Sequence, residues 1–254
     1  MKDIVLYEKD KDIGRITLNK PEQRNSLDLE TLKTIISVFN ESAENDDVCV
    51  IYTANGKDFT VGANLKYGYQ LLNDETRLSE AIEFLRAFQD ITRAIINHPG
   101  VIIVGYHGWV IGGGFEHTIC CDLKIAAENT KIMLPELNMG LFFGNLVTKL
   151  LPRMVGECRA REILYLGKEI TAQNAYNMGL INHVCKLQGL NRVLNRYANS
   201  IIQKDHLGLR WTKTLLNENR DRDNEAVLEK ELMGMITTGQ SEEVRRRIEM
   251  FVKK

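Results

Sequence analysis

The chain has 254 residues, 44% hydrophobic and 26% charged, which suits one large globular domain, or a domain with an appendage, and excludes disorder or low complexity. Lys and Arg total 33 against 34 Asp and Glu, so no global field favours nucleic acid or an anionic membrane. No apolar run approaches the roughly twenty residues that span a bilayer, and the start, Met1 to Val5, alternates like a strand without a signal peptide's basic and apolar regions; the expectation is a cytoplasmic protein, or a mature form whose targeting peptide is missing.

Residues 4–7 and 14–18 read as two strands around the charged turn 9–12. From Asp28 the apolar spacing becomes helical, with Leu29, Leu32, Ile35, Ile36 and Phe39 in phase and Asp28 or Ser26 able to cap the start. Residues 48–52 form a buried strand, and 53–66 a loop. A long helix is predicted over about 75–97, presenting Leu78, Ile82, Leu85, Phe88, Ile91 and Ile95 on one face and ending at His98-Pro99-Gly100. A second buried strand covers 101–106, an apolar helix runs from the glycines 112–114 to Cys121, and a third strand covers 123–127. Strands alternating with helices predict an α/β arrangement with parallel strands. After Val184 only helical patterns remain, at 190–202, 208–217, 224–235 and 242–251; the expected division is a core over 1–190 and a helical region over 191–254. The five cysteines form no C-x-x-C pair and read as buried thiols, with Cys120 and Cys121 inside the apolar helix.

Two segments carry chemistry. Phe59-Thr60-Val61-Gly62-Ala63-Asn64-Leu65-Lys66 and His107-Gly108-Trp109-Val110-Ile111-Gly112-Gly113-Gly114-Phe115-Glu116 each follow a buried strand. A glycine-rich turn at a helix start leaves backbone N–H groups free to face an anion or an oxyanion. The turn lacks a P-loop ending, and His117 stands where a dinucleotide fingerprint needs its third glycine. Tight helix packing alone could also explain the glycines. Glu116, in the first turn of an apolar helix, and Glu136, in Met133-Leu134-Pro135-Glu136-Leu137, are acids in apolar settings. A buried carboxylate is costly unless paired or used, although Glu136 could equally be a loop acid. Two acids held close tend to keep one proton between them, so an acid and a base can coexist near neutral pH. No His/Cys/Asp cluster has metal-ligand spacing, so no metal is expected.

With the runs Asn19-Lys20-Pro21-Glu22-Gln23-Arg24-Asn25-Ser26-Leu27, Asp122, Pro135-Glu136, Ile170-Thr171-Ala172-Gln173-Asn174-Ala175 and Gly179-Leu180-Ile181, these segments resemble the crotonase, or enoyl-CoA hydratase/isomerase, superfamily over nearly the whole chain. The resemblance implies a ββα spiral, a C-terminal helical region that drives assembly into a homotrimer or hexamer, and coenzyme A thioester substrates, with no cofactor beyond the coenzyme A moiety. It implies an oxyanion hole from the amides of Ala63 and Gly113, and catalytic roles for Glu116 and Glu136. Substrate or coenzyme A contacts are implied for Arg24, Asn64, Leu65, Lys66, Gly112, Gly144 and Phe251. Hydratases that resemble this chain usually continue Pro-Gly-x-Gly-Gly after the second acid; here Phe143 replaces the proline, and Leu146 and Val147 replace two glycines. Asn64 also stands for a frequent Asp.

The expected reaction is hydration of a 2-enoyl-CoA, or the reverse dehydration of a 3-hydroxyacyl thioester. The competing readings are double-bond isomerisation and dehydration of a carrier-bound polyketide intermediate. A different class, an RNA-binding crotonase-like protein, would use Lys213, Arg220, Arg222 and Arg245 to Arg247; a solvated helix surface beside acidic neighbours explains those residues better, so neither nucleic acid nor membrane is an expected partner. His107 and His117 read as packing or capping residues. Tyr67, Tyr69, Phe84 and Phe88 are candidates for an acyl pocket or for the core.

Overall fold

The computed structural model describes residues 4–253, except for the side chains of Arg220 and Phe251. Strands β1 (Val5–Asp10) and β2 (Ile13–Leu18) form an antiparallel hairpin. Helix α1 (Leu29–Glu44) then crosses over to β3 (Cys49–Ala54), which pairs parallel with β2. Of the two candidate caps, Asp28 holds the helix start, its carboxylate accepting from the Thr31 amide at 2.9 Å. The chain continues through α2 (Leu65–Leu72), α3 (Leu78–Asn97), β4 (Val101–Tyr106), β5 (Trp109–Ile111) and α4 (Gly113–Thr118). Next come β6 (Leu123–Ala127), β7 (Lys131–Met133), α5 (Val147–Val155), α6 (Glu157–Leu166), β8 (Ile170–Thr171), α7 (Ala172–Asn177) and β9 (His183–Cys185).

The strands form a six-stranded sheet, β1-β2-β3-β4-β6-β9, and a three-stranded sheet, β5-β7-β8. The chain repeatedly places one strand in the large sheet, the next in the small one, and then turns helical: β4, β5, α4; then β6, β7 and the 3-10 turn Glu136–Met139. The turn after β3 follows the same path, with Thr60 bridging Val110 of the small sheet. This is the predicted α/β ββα spiral, and it ends in a helical region of α8 (Leu190–Ile202), α9 (His206–Glu218), α10 (Asn224–Gly239) and α11 (Glu242–Val252).

One face of the large sheet packs on α1 and α3, burying Ile16, Val50, Tyr52 and Ile102 against Leu32, Phe39, Ile91 and Ile95. The other face is covered by α8, whose Leu190, Val193, Leu194 and Ala198 meet Ile13, Ile51, Ile103 and Ile125. Thus the helical region begins by completing the core. Helix α9 is anchored by buried Lys213, whose Nζ donates to Gly100 O at 2.8 Å and pairs with Asp122 at 2.9 Å. Asp122 also accepts from the Ile102 amide at 2.7 Å, which explains an acid at this point of the recognised pattern.

Several expectations are corrected. The stretch expected as a loop up to 66 already turns helical at Leu65, and α2 precedes the long helix. Helix α3 buries Phe84, Ala87, Phe88, Ile91 and Ile95, whereas Leu78, Ile82 and Leu85 are exposed, because the stripe facing the sheet is rotated at its N-terminal half. Helix α4 ends at Thr118, so Cys120 and Cys121 lie in the turn beyond it. Cys158 is exposed and Cys185 only half-buried, contrary to the reading of all five as buried. Strands β5, β7, β8 and β9 have three residues or fewer and leave too little periodicity to read. Lys213 belongs to the core and cannot join a basic face; Arg246 and Arg247 pair with Glu243. Among the described residues no helix is long and apolar enough to cross a membrane, and no group of acids, histidines and cysteines could hold a metal.

Candidate active site

The first arm of the site is built by the segment after Lys20. Asn25 accepts from the Lys20 amide at 2.8 Å and donates to Asn55 O and Asp58 O, each at 2.9 Å. Thr60 Oγ1 donates to Asn25 O at 2.6 Å. Leu27 then grips the strand carrying Ala63: its amide donates to Gly62 O at 2.9 Å, and its carbonyl accepts from the Asn64 amide at 2.8 Å. In a trans peptide C=O and N–H point opposite ways. Because Gly62 O faces Leu27, the Ala63 N–H faces the other side.

The same logic fixes the second arm. Gly112 takes φ 50° and ψ −127°, a conformation that suits glycine. Its carbonyl accepts from Phe115 and Glu116 amides at 2.8 and 2.9 Å and so points into α4; the Gly113 N–H on the same peptide points out of the helix start. Neither Ala63 nor Gly113 donates to a backbone carbonyl among the described residues. The arms lie against one another, with the Thr60 amide donating to Trp109 O and the Ile111 amide to Thr60 O, each at 3.1 Å. Their approach needs bare glycine: a Cβ at Gly62 would fall 2.4 Å from Ile111 O, and one at Gly114 2.3 Å from Thr60 Cγ2. Phe88 packs beneath Gly113, where a Cβ would fall 2.6 Å from its ring.

Both candidate acids are buried, Glu116 at 3% and Glu136 at 6% exposure. Their environments differ. Glu116 Oε2 accepts from the amides of Gly144 at 2.7 Å and Asn145 at 3.2 Å. Glu136 Oε2 is buried without a hydrogen-bond partner among the described residues, while its Oε1 lies where a Cβ at Gly112 would come within 2.4 Å. Burial raises the pKa of Glu116, opposed by those amides and by Glu136. Burial and then the charge of Glu116 push Glu136 up to about 8. The two amides favour the charged form of Glu116, and that charge favours the protonated form of Glu136, so the two carboxyls have opposite preferences.

The remaining predicted contacts scatter around this centre. Gly112 and Gly144 touch the acids directly. Asn64 caps α2, accepting from the Tyr67 amide at 3.1 Å, and Leu65 and Lys66 are exposed just beyond Ala63. Arg24 has its guanidinium on Asp58 at 2.7 Å, and Asp58 in turn accepts from the Trp109 amide at 2.9 Å. The Phe251 side chain lies outside the described residues. Phe84 and Phe88 are buried and meet edge to face, with Tyr67 against Phe84, whereas Tyr69 is 69% exposed and lines no core. The departures from the glycine-rich pattern are visible: Phe143 is buried, and Leu146 adopts φ 59°, a left-handed conformation costing about 1–2 kcal/mol for a side chain with a Cβ. Sequence reasoning missed Asn145, whose amide holds Glu116 and whose buried Oδ1 has no partner among the described residues. Its place next to Gly144 was the available signal.

A ββα spiral with two outward amides and two buried carboxyls in unlike hydrogen-bond environments is a crotonase-type scaffold. Residues 8–254 match the model of the enoyl-CoA hydratase/isomerase family, and the chain belongs to that enzyme family, which acts on acyl-CoA thioesters. It is 33% identical over 223 residues to a crotonyl-CoA hydratase of Syntrophomonas wolfei, covering 86% of this chain and 83% of that protein. It is 28% identical over 226 residues to a short-chain-enoyl-CoA hydratase of Clostridium acetobutylicum, covering 88% and 85%. The crystal structure of an enoyl-CoA hydratase from Bacillus anthracis superposes with a TM-score of 0.91 at 25% identity, covering 99% of this chain and 96% of that one.

Proposed function

We propose that this protein hydrates a 2-enoyl-CoA, or runs the reverse dehydration, with Ala63 and Gly113 as the oxyanion hole and Glu116 and Glu136 as base and acid. The thioester oxygen accepts from the two amides, which stabilise the enolate-like charge that grows as water adds. Glu116 takes a proton from the water as its oxygen attacks Cβ. Glu136 gives its proton to Cα. The exposed start of α2, with Leu65 and Lys66, and Arg24 nearby in sequence to the first arm, are the surfaces proposed for the coenzyme A arm.

The observation that carries this reading is the unlike environment of the two acids: two amides on Glu116 and, among the described residues, none on Glu136 Oε2. Hydration needs a base and an acid at once, and this asymmetry supplies both. An isomerase needs one group to carry a proton between carbons, and one carboxyl would suffice. The names of the relatives at 33% and 28% identity favour the hydratase reading. The test follows loss of the conjugated-thioester absorbance with short, long, branched and cyclic enoyl-CoAs, together with isomerisation of a 3-enoyl-CoA. Glu116→Gln is expected to cut hydration far more than isomerisation. Equal small losses in both assays would overturn the hydratase assignment.

We also propose that the protein assembles as a homotrimer or hexamer through its helical region, where Leu228, Leu232, Met235 and Ile236 of α10 are exposed in the single chain.

A further inference from the structure

His117 is fully buried, one residue beyond Glu116, and the mechanism above leaves it unused. Its two ring nitrogens have different partners. Nδ1 lies 2.7 Å from Gly113 O, and Nε2 lies 3.2 Å from Tyr52 Oη. A carbonyl oxygen can only accept, so Nδ1 carries the proton. Nε2 of the neutral ring then accepts from the Tyr52 hydroxyl. Burial depresses the imidazole pKa to about 4, so the ring stays neutral through the range in which enoyl thioesters are handled. The result is a one-way chain, Tyr52 O–H to Nε2 and Nδ1–H to Gly113 O.

The ends of this chain matter. Gly113 is the first residue of α4, and its N–H is the proposed oxyanion donor. Helix α4 spans six residues and opens on consecutive glycines after the left-handed Gly112. Such a start is weakly held by its own backbone, since glycine loses the most freedom on ordering and short helices lack cooperativity. At the other end, Tyr52 sits on β3 and packs edge to face on Phe59, at 5.3 Å between centroids. Phe59 opens the arm that carries Ala63, and its amide donates to His107 O at 2.9 Å. The chain therefore ties the residue bearing one proposed donor to the strand and aromatic ring that lead to the other.

We propose that Tyr52 and His117 are positioning residues for the oxyanion hole, holding Gly113 in register with Ala63 through a fixed neutral imidazole. The proposal rests on the oxyanion-hole reading given above. A positioning role acts on the transition state and on carbonyl polarisation, whereas a packing role acts on stability alone.

The experiment uses the full-length protein, in hydration assays and with bound 4-dimethylaminocinnamoyl-CoA, whose absorption moves to the red as its carbonyl is polarised. In the wild type the bound probe is expected to show a clear red shift. In His117→Leu the shift is expected to fall by half or more and kcat by about 10- to 100-fold, with KM within about threefold, because misplacing one oxyanion donor costs less than the ~10²–10³-fold of deleting it. His117→Asn, which keeps a donor near the place of Nδ1, is expected to recover most of both. Tyr52→Phe leaves Nε2 without its donor and the ring less firmly held, and is expected to lower kcat about threefold with a smaller shift. If His117→Leu does not fold, His117→Asn and Tyr52→Phe decide the matter by the same two readouts. Wild-type kcat and shift in Tyr52→Phe or in a folded His117→Leu would overturn the proposal while leaving the oxyanion hole standing. A bound probe with no shift in the wild type would remove the oxyanion hole, and this inference with it.

Discussion

Burial and the charge of Glu116 hold the Glu136 carboxyl protonated up to about 8, well above its ordinary 4.5, and that one perturbation shapes the expected chemistry. The proposed mechanism requires the proton on Glu136 and the charge on Glu116, so the rate should fall as pH rises through about 8 and fall again in acid as Glu116 takes up a proton; a pH–rate profile with no descending limb near 8 would contradict the assignment. Glu136→Gln should lower kcat by roughly 10³-fold or more, with the fold intact by circular dichroism. The stability consequence has a definite sign. A folded-state pKa raised above the unfolded value gives stability that is full below 4.5 and lost as pH rises through about 8. Glu136→Gln removes that dependence, so its melting temperature relative to wild type should climb between pH 5 and pH 9. Gly112 is the other sensitive residue: Gly112→Ala places a methyl group 2.4 Å from Glu136 Oε1 at φ 50°. About 1–3 kcal/mol of backbone strain and a roughly 100-fold loss of kcat from a displaced acid are expected, read by urea unfolding and by steady-state assay.

At the scale of elements, the site depends on short pieces braced by longer ones. Helix α4 and strand β5 have six and three residues, and neither would persist alone. They are held by the 19–27 segment, by Thr60 and by the underside of α3. That segment is itself fastened to α1: the Lys20 ammonium, 9% exposed, pairs with Asp28 at 2.7 Å and bonds Thr31 Oγ1 at 2.9 Å. Asp28→Ala removes the α1 cap and leaves a buried ammonium with less to meet. The expected loss is about 2–3 kcal/mol, above the ~1 kcal/mol of an ordinary cap, measured by chemical denaturation. Asp28→Asn, which keeps the cap and drops the charge, should lose less.

For the whole molecule, two apolar surfaces stand out on the single chain. One is on α10, where Met235 is 71% and Ile236 51% exposed; the other is on α3, where Leu78 and Leu85 are exposed. Exposed apolar residues gathered on one helix mark contact surfaces more often than solvent faces. Substituting Ile236 and Met235 together by Asp should lower the sedimentation coefficient towards that of the monomer. An unchanged coefficient would move the proposed assembly surface away from α10.

Much of this molecule was readable before folding was considered. The large-sheet strands at 48–52, 101–106 and 123–127, the crossover helices and the helical end carry their periodicity locally, and the glycine turns with Glu116 and Glu136 stood out as polar groups in apolar runs. What stayed hidden depends on partners far along the chain. Strands β5, β7 and β8 exist because they pair with each other, and the buried stripe of α3 follows where the sheet lies. The direction of the Ala63 amide is set by Leu27, and the protonation of Glu136 by its distance from water and its nearness to Glu116. Which residues could do chemistry was already written in the order of amino acids, because side-chain identity and short-range spacing are local. Which acid the surroundings favour in its protonated form, and where the amides point, emerged with folding, because desolvation, charge and hydrogen-bond direction are sums over neighbours that folding alone brings together.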